Sequence, residues 1–224
     1  MIKIPRASSV ITSITLVAAV AVARRRQLRW GASDAEVEQS LPGDELVPAA
    51  DLTATRAVTI RAGIDAVWPW IVQLGQSRGG FYSYDRLENL AGCDIHSALQ
   101  INPDWQHLDV GDVVRLAPEV ALTVAVVKPP RTLVLQGAVW PGGPVAPYDF
   151  SWTFDLSSVS ATTTRLVVRE RYAYARWWAR LVVEPVTVVS FVMSHRMLRG
   201  IRDRAEQPGQ GTTEGRGTQD RGTA

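Results

Sequence analysis

The densest cluster of side chains that can do acid–base chemistry lies between Tyr82 and His96. Asp85 and Glu88 are three residues apart and would share one face of a helix. In a catalytic interpretation Asp85 or His96 is a general base, and Glu88 is a further candidate. Tyr82 or Tyr84 would then stabilise an enolate, which suits an aldol cyclisation or a dehydration. The alternative interpretation is a hydrogen-bonded polar turn, because no motif in this stretch specifies a mechanism.

The side chains that could bind a metal ion are too few for a complete site. Cys93 and His96 have the spacing of two metal ligands, but a structural zinc site needs four. Only His107, His195 and scattered carboxylates remain to complete it. Cys93 is the single cysteine, so an intrachain disulfide is impossible. The sequence also has no phosphate-binding loop, dinucleotide fingerprint or GxSxG elbow, and we therefore expect no metal and no cofactor.

A further carboxylate of interest, Glu170, lies in a predicted strand at residues 163–172. Strict alternation turns Glu170 and Tyr172 to the buried face of a sheet, where the carboxylate needs an arginine partner to stay charged. A bulge near Arg169 would instead turn Glu170 to the surface. The same alternation predicts a solvent-exposed face that consists of Arg165, Arg169 and Arg171.

A mixed set of strands and helices has to position these side chains. Residues 148–156 alternate apolar and polar side chains without exception, as in an antiparallel strand with one buried face. Residues 177–205 have the length and spacing of a helix, although their many valines also favour strands. The other predicted elements are strands at 55–62, 112–116, 122–128, 132–136 and 163–172, and short helices at 64–74 and 82–90.

Several motifs accompany this order of elements. They are DAVWPWIVQLG (65–75), GGFYSYDRLENLAGCDIHSA (79–98), VGDVVRL (110–116), RTLVLQG (131–137), TRLVVRERY (164–172) and MLRGIRDRAE (197–206). With them, residues 52–206 resemble a bacterial protein of the SRPBCC, or START-like, superfamily, which includes polyketide cyclases and dehydrases and lipid-transport domains. The resemblance implies an α+β helix-grip fold over residues 55–206, with a curved antiparallel sheet wrapped around a long C-terminal helix. This fold hosts carriers, cyclases and co-chaperones, so it does not specify a reaction.

The resemblance also implies a cavity between the sheet and the final helix that holds a hydrophobic small molecule or a lipid. The chain has eight tryptophans, and aromatic walls with few polar groups are usual in such sites. We expect the lining to consist of Trp68, Tyr82, Tyr84, Tyr148, Phe150, Trp152, Glu170, Tyr172 and Met193, with Trp140 as a further candidate. The alternative is that these aromatic residues form an ordinary core.

Three functions remain as hypotheses. The first is binding or transport of the hydrophobic ligand, and the second is a cyclase or dehydratase that acts on a polyketide-like or isoprenoid substrate. The third is a co-chaperone-like module with an unknown protein partner. A nucleic-acid partner is not expected, because residues 1–29 hold six basic residues and no acidic one, which leaves 18 basic and 22 acidic residues in the rest.

The N-terminal 29 residues predict a membrane anchor. Residues 7–23 are uncharged, flanked by basic residues and just long enough to cross a hydrocarbon core. A cleaved signal peptide is an alternative, but Arg24, Arg25 and Arg26 would then begin the mature chain and resist translocation. A soluble helix is a third interpretation. The arginines after the helix favour a main domain on the cytoplasmic side of the membrane, with a secreted or periplasmic domain as the alternative.

Two polar segments flank the predicted domain. Residues 30–54 contain six acidic residues and two prolines, and we interpret them as an acidic, solvated linker that holds the domain off the membrane. Residues 207–224 contain no Val, Ile, Leu, Met or aromatic residue, and we expect a disordered tail there.

Overall fold

The computed structural model describes residues 7–90, 92–137 and 146–207. Its centre is one six-stranded antiparallel sheet with the strand order β1-β6-β5-β4-β3-β2. The strands are β1 (Leu52–Ile60), β2 (Val113–Ala117), β3 (Val120–Lys128), β4 (Thr132–Gly137), β5 (Tyr148–Ser160) and β6 (Thr163–Tyr174). The helices are α1 (Ala7–Leu28), α2 (Asp34–Glu38), α3 (Ile64–Val72), α4 (Asp85–Leu90) and α5 (Ala179–Ala205). The curved sheet and the long final helix confirm the predicted α+β helix-grip fold.

The strands β5 and β6 form the longest hairpin and carry the alternation that the sequence predicts. Trp152, Phe154 and Leu156 are buried in the main core, whereas Asp149 on the other face is exposed. The register pairs Trp152 with Glu170, so both side chains point to the same face of the sheet. No bulge interrupts this part of the hairpin, and Glu170 therefore faces inward.

The final helix α5 packs one of its faces into the concave side of the sheet. Val183, Ser194, Leu198 and Ile201 are buried at helical spacing, in spite of the valines that give this segment a strand propensity. Gly200 allows the closest approach, since a Cβ atom there would lie 2.2 Å from the carbonyl oxygen of Tyr82. Tertiary burial therefore determines the helical structure, and local propensity does not.

The segment of residues 32–51, named here the covering segment, lies over the outer face of the sheet. Leu41 and Val47 are buried at 4% and 1% exposure, and Leu41 packs on Ala57 and Val167. The prediction of a solvated linker is therefore wrong for this part of the chain. Its acidic side chains find basic partners on the sheet, which local sequence could not indicate.

The arginines of β6 hold the covering segment in place. Arg169 is buried and donates hydrogen bonds to the carbonyl oxygens of Glu36 at 2.7 Å and Gln39 at 2.9 Å and to the Asp44 carboxylate at 2.6 Å. Arg171 donates to the carbonyl oxygen of Val47 at 3.0 Å. The expectation of a solvent-exposed arginine face is therefore corrected, because backbone carbonyls and carboxylates of the covering segment replace water there.

Arg165 also holds the covering segment, through a bidentate ion pair with Glu36. Arg165 Nε lies 2.7 Å from Glu36 Oε1, and Arg165 Nη2 lies 2.8 Å from Oε2. Glu36 also accepts a hydrogen bond from the backbone nitrogen of Ser33 in the capping box that begins α2. The hydrogen bonds from Arg165 are the main reason that the pKa of Glu36 is lowered from 4.5 to about 2.

A candidate membrane-spanning helix is present among the described residues, but it is α5. The sequence predicted such a helix at the N-terminus, where α1 lies. Of the most apolar stretch of α5, 28% is buried inside the protein, and core helices of soluble proteins meet the same criterion of length and composition. Since Val183 and Leu198 of α5 are fully buried in the domain, we describe α5 as a core helix. The predicted disordered tail lies outside the described residues, except for Gln207.

The ion pair between Glu36 and Arg165 predicts a pH-dependent contribution to stability. Glu36→Gln should lower the melting temperature at pH 7, because the charged carboxylate is stabilised in the folded state. The difference from the wild type should shrink as the pH falls from about 4.5 towards 2, where the folded carboxylate takes up a proton. Thermal unfolding followed by circular dichroism at several pH values measures this. Glu38→Gln, an exposed position on the same helix, is the control. If Glu36→Gln lowered the melting temperature equally at pH 7 and pH 2.5, the stabilising role of the charged Glu36 would be contradicted.

Candidate functional site

A cavity of about 440 Å³ lies between the concave face of the sheet and α5. Its walls come from β2 to β6, from α5, from α4 and from the segments on either side of α4. Most of the lining is apolar, with Phe81, Ile95, Leu116, Leu122, Phe150, Trp152, Val186, Met193 and Met197. The polar side chains in the lining form two groups, around Glu170 and around Glu88, and the exposed Asp149 is a further polar residue of the lining.

Glu170 forms the first polar group and is 2% exposed. Its Oε1 accepts a hydrogen bond from Arg56 Nη1 at 2.7 Å and one from Ser194 Oγ at 3.0 Å. Ser190 Oγ lies 2.8 Å from Oε1 and 2.7 Å from Oε2, and Tyr172 donates to Oε2 at 3.3 Å. The carboxylate is thus fully partnered, as a buried charge must be.

Arg56 connects this carboxylate to the N-terminal helix. Its Nε donates a hydrogen bond to the carbonyl oxygen of Gln27 at 3.3 Å, and its guanidinium lies 5.6 Å from the centre of the Phe191 ring. Arg56 Nη2 is buried and has no hydrogen-bond partner among the described residues. The pair of Arg56 and Glu170 therefore ties α1, β1, β6 and α5 together beside the cavity.

The aromatic wall next to Glu170 contains one unpaired donor. Tyr172 packs on Phe150 with ring centres 4.7 Å apart and on Tyr148 at 5.5 Å. Burial raises the pKa of Tyr172, and the adjacent Glu170 raises it further, so the phenol stays protonated and can donate. Trp152 Nε1 is buried and lines the cavity, and within the described part of the chain it has no acceptor. A buried indole N–H normally finds a partner.

Glu88 forms the second polar group at the opposite wall of the cavity. Ser83 Oγ donates a hydrogen bond to Glu88 Oε1 at 2.5 Å, and Oε2 is buried without a partner among the described residues. Burial raises the pKa of Glu88, and the Asp85 charge adds to the effect. Burial also raises the pKa of Cys93, which lines the cavity beside it. A carboxyl group with these properties can hold a proton or exchange one.

The structure places the other two acid–base candidates away from the cavity lining. Asp85 accepts hydrogen bonds from the Ser97 backbone nitrogen at 2.8 Å and from Ser97 Oγ at 2.6 Å, which closes a loop. His96 has a side chain that is 82% exposed and lies 3.2 Å from Asp94. Of the three weak catalytic candidates, only Glu88 lines the cavity.

Three of the predicted lining residues lie in the core or at the surface and do not line the cavity. Tyr82 is buried, donates a hydrogen bond to the carbonyl oxygen of Trp70 at 3.2 Å and accepts one from Gln73 at 2.9 Å. Trp68 packs in the main core, and Tyr84 is 39% exposed. Their predicted place in the lining is corrected, because α3 and the turn before α4 direct these rings elsewhere. The residues that do line the cavity are Tyr148, Phe150, Trp152, Glu170, Tyr172 and Met193, while Trp140 lies outside the described residues.

Three residues of the Glu170 group were missed by the sequence analysis. Arg56 precedes Val58 and Ile60 by two and four residues, so the same period of two that buries those side chains also turns Arg56 inward. Ser190 and Ser194 are one helical turn apart on an apolar helix, which is a signal for a shared polar partner. Across the described residues, no group of three or more His, Cys, Asp or Glu side chains is arranged to hold a metal ion.

The buried pair predicts an asymmetric response to substitution. Arg56→Met should destabilise the fold by about 3–5 kcal/mol, because it leaves the charge of Glu170 buried without its main partner. The double variant Arg56→Met/Glu170→Gln should recover a large part of this loss, since it removes the charge as well. Urea unfolding of both variants and of the wild type measures the difference. A double variant that is no more stable than the single one would contradict a charged Glu170.

Comparison with known proteins gives matches among solved structures. No family model and no curated protein matches the chain. A norcoclaurine synthase from Thalictrum flavum matches with 13% identity and a TM-score of 0.44, over 69% of this chain and 93% of that chain. A protein from Nitrosospira multiformis matches with 16% identity and a TM-score of 0.43, over 68% and 94%. An aromatase/cyclase from Streptomyces sp. R1128 matches with 15% identity and a TM-score of 0.40, over 69% and 93%. At these values the likeness says nothing about a ligand or a reaction.

Proposed function

We propose that this protein binds a hydrophobic small molecule or a lipid in the cavity between the sheet and α5, and that it carries this ligand at a membrane. The observation that supports the proposal is the cavity itself, which has about 440 Å³ of space, mainly apolar walls and few polar groups. Such a site gains its binding energy from apolar burial and its specificity from a few polar contacts. A co-chaperone-like interaction module would need no cavity of this kind.

The indole N–H of Trp152 has no acceptor among the described residues, and this is our reason to propose that the ligand carries an oxygen. Leaving a buried N–H group without an acceptor costs about 1–3 kcal/mol. Trp152 Nε1 lines the cavity, so a carbonyl or hydroxyl oxygen of a ligand can reach it. The buried Glu170 already has its partners and would repel a second carboxylate. The ligand class that fits is therefore an apolar molecule with a neutral oxygen function.

The helix α1 is the membrane anchor in this proposal. Residues 7–23 carry no charge, and the side chains from Ala18 to Ala23 are all exposed in the isolated chain. An apolar helix without protein cover is stable in lipid. Arg24, Arg25 and Arg26 then lie at the membrane surface, and the positive-inside rule favours a cytoplasmic domain.

A photoreactive aromatic ketone tests the ligand site. We expect 4-decylbenzophenone, which has one carbonyl acceptor on an apolar body, to form covalent adducts in the cavity at Met193 and Met197 after illumination. In Trp152→Phe the concentration for half-maximal labelling should rise about fivefold, which corresponds to one hydrogen bond of about 1 kcal/mol. Peptide mass spectrometry of the full chain in detergent locates and counts the adducts.

The control for this experiment is Trp105→Phe, since Trp105 is half-buried and lies outside the cavity lining. It should label like the wild type. Adducts that are confined to α1 or to exposed surfaces would contradict the ligand site. Equal labelling of the wild type and Trp152→Phe would contradict only the role of the indole donor.

A cyclase or dehydratase is the second candidate function, and Glu88 is the observation that favours it. Its raised pKa suits a general acid or base at the cavity wall. If the protein is such an enzyme, the Glu88→Gln variant should co-purify with unconverted substrate. The mass of this substrate should differ from that of the molecule found in the wild type, for example by one water. His96→Gln, at an exposed site, is the matched control. Identical extracted molecules from all three chains would contradict the enzyme and leave the carrier.

A further inference from the structure

The helices α1 and α5 lie side by side and run in the same direction. Arg24 pairs with Glu184 near the start of α5, and Trp30, two residues after the end of α1, packs edge-on against His195 further along α5, with ring centres 4.3 Å apart. From Arg24 back to the first residue of α1 the helix rises roughly 25 Å, whereas α5 continues only about 8 Å beyond Glu184 in that direction. The uncharged part of α1 therefore projects past the N-terminal end of α5.

An exposed apolar surface lies on α5 at the base of this projection. We name it the α5 patch. It consists of Trp177 and Trp178, which directly precede α5, and of Leu181 and Val182 in the first turn of α5. Trp177 is 89% exposed and Leu181 is 72% exposed, which is unusual for such large apolar side chains. The opposite face of α5 is packed in the domain through Val183 and Ser194, so the patch points away from the protein.

We infer that the α5 patch rests on the surface of the bilayer into which α1 inserts. This inference takes the anchor from the proposed function and adds a second membrane contact. The inference is supported by the position of the patch, because the patch lies beside the place where α1 leaves the domain. The residue types agree, since tryptophans favour the membrane interface and the exposed Arg176 and Arg180 next to them suit lipid phosphates. The bilayer is therefore the partner that covers this surface.

This placement turns the cavity towards the membrane. Val186 lines the cavity, is also 41% exposed and lies one helical turn after Val182 of the α5 patch. The start of β5 lies at the same end of the molecule, because the backbone nitrogen of Ala175 donates to the carbonyl oxygen of Pro147 at 2.9 Å. Ala146 and Tyr148, on either side of Pro147, line the cavity too. In this arrangement the cavity wall at Val186 lies next to the end of the domain that faces the bilayer, which is where a hydrophobic ligand would enter.

Site-specific fluorescence on the full chain tests the membrane contact. The polarity-sensitive dye NBD is attached at Leu181→Cys and, separately, at Val159→Cys, both in a Cys93→Ser background. Val159 is the matched control. Its aliphatic side chain is 65% exposed, close to the 72% of Leu181, and it lies at the far end of β5. Each chain is reconstituted into vesicles of phosphatidylcholine and phosphatidylglycerol, with and without nitroxide-labelled lipids. Flotation of the vesicles reports the anchor independently of the dye.

We expect both chains to float with the vesicles. The dye at position 181 should shift its emission to the blue and lose most of its intensity to nitroxide lipids, whereas the dye at position 159 should do neither. Floating chains with a water-like dye at 181 would overturn the membrane contact and leave the anchor intact. A blue-shifted dye at 181 that the nitroxides do not quench would mean that protein, such as a second copy, covers the patch, and it would overturn the inference. Chains that do not float would overturn both the anchor and the contact.

Discussion

The buried ion pair between Arg56 and Glu170 is the constraint on which the rest of the structure depends. Neither charge is accessible to water, so every element around the pair has to supply a hydrogen bond or exclude solvent. The strands β1 and β6 supply the two charges, α5 supplies Ser190 and Ser194, and α1 supplies a backbone carbonyl. A shift of any one of these elements would remove at least one hydrogen bond from a buried charge. The pair thus fixes the position of α5 over the sheet, and with it the shape of the cavity.

The N-terminal region is an integral part of this domain. The covering segment is bound by the arginines of β6 on the outer face of the sheet, and α1 is bound to α5 and to Arg56 on the inner side. The chain therefore wraps around β1 before it enters that strand. The membrane anchor that we propose for α1 would hold the domain at a defined orientation, because no flexible linker separates the two. A carrier whose cavity is to face the lipid would need such a fixed orientation.

Sequence patterns predicted the fold well and the polar groups poorly. The alternation in β5 and the order of the elements were sufficient for the helix-grip architecture, because burial of one sheet face leaves a period of two in the sequence. The covering segment was misinterpreted because its acidic residues resemble a solvated spacer, and their arginine partners lie more than a hundred residues away. Asp85 and His96 looked reactive because they are close in sequence to Glu88. The turns between them send one side chain to Ser97 and the other to solvent.

Native mass spectrometry of the full chain, purified from membranes and released from detergent micelles, tests the central claim most directly. Our account predicts one co-purifying lipid-like molecule per chain, which solvent extraction should identify as an apolar molecule with a neutral oxygen function. A chain that is always empty, and that takes up no hydrophobic ketone when one is supplied, would contradict the account. The cavity would then be a packing defect of the core, and the function would have to be sought on the surface of the protein.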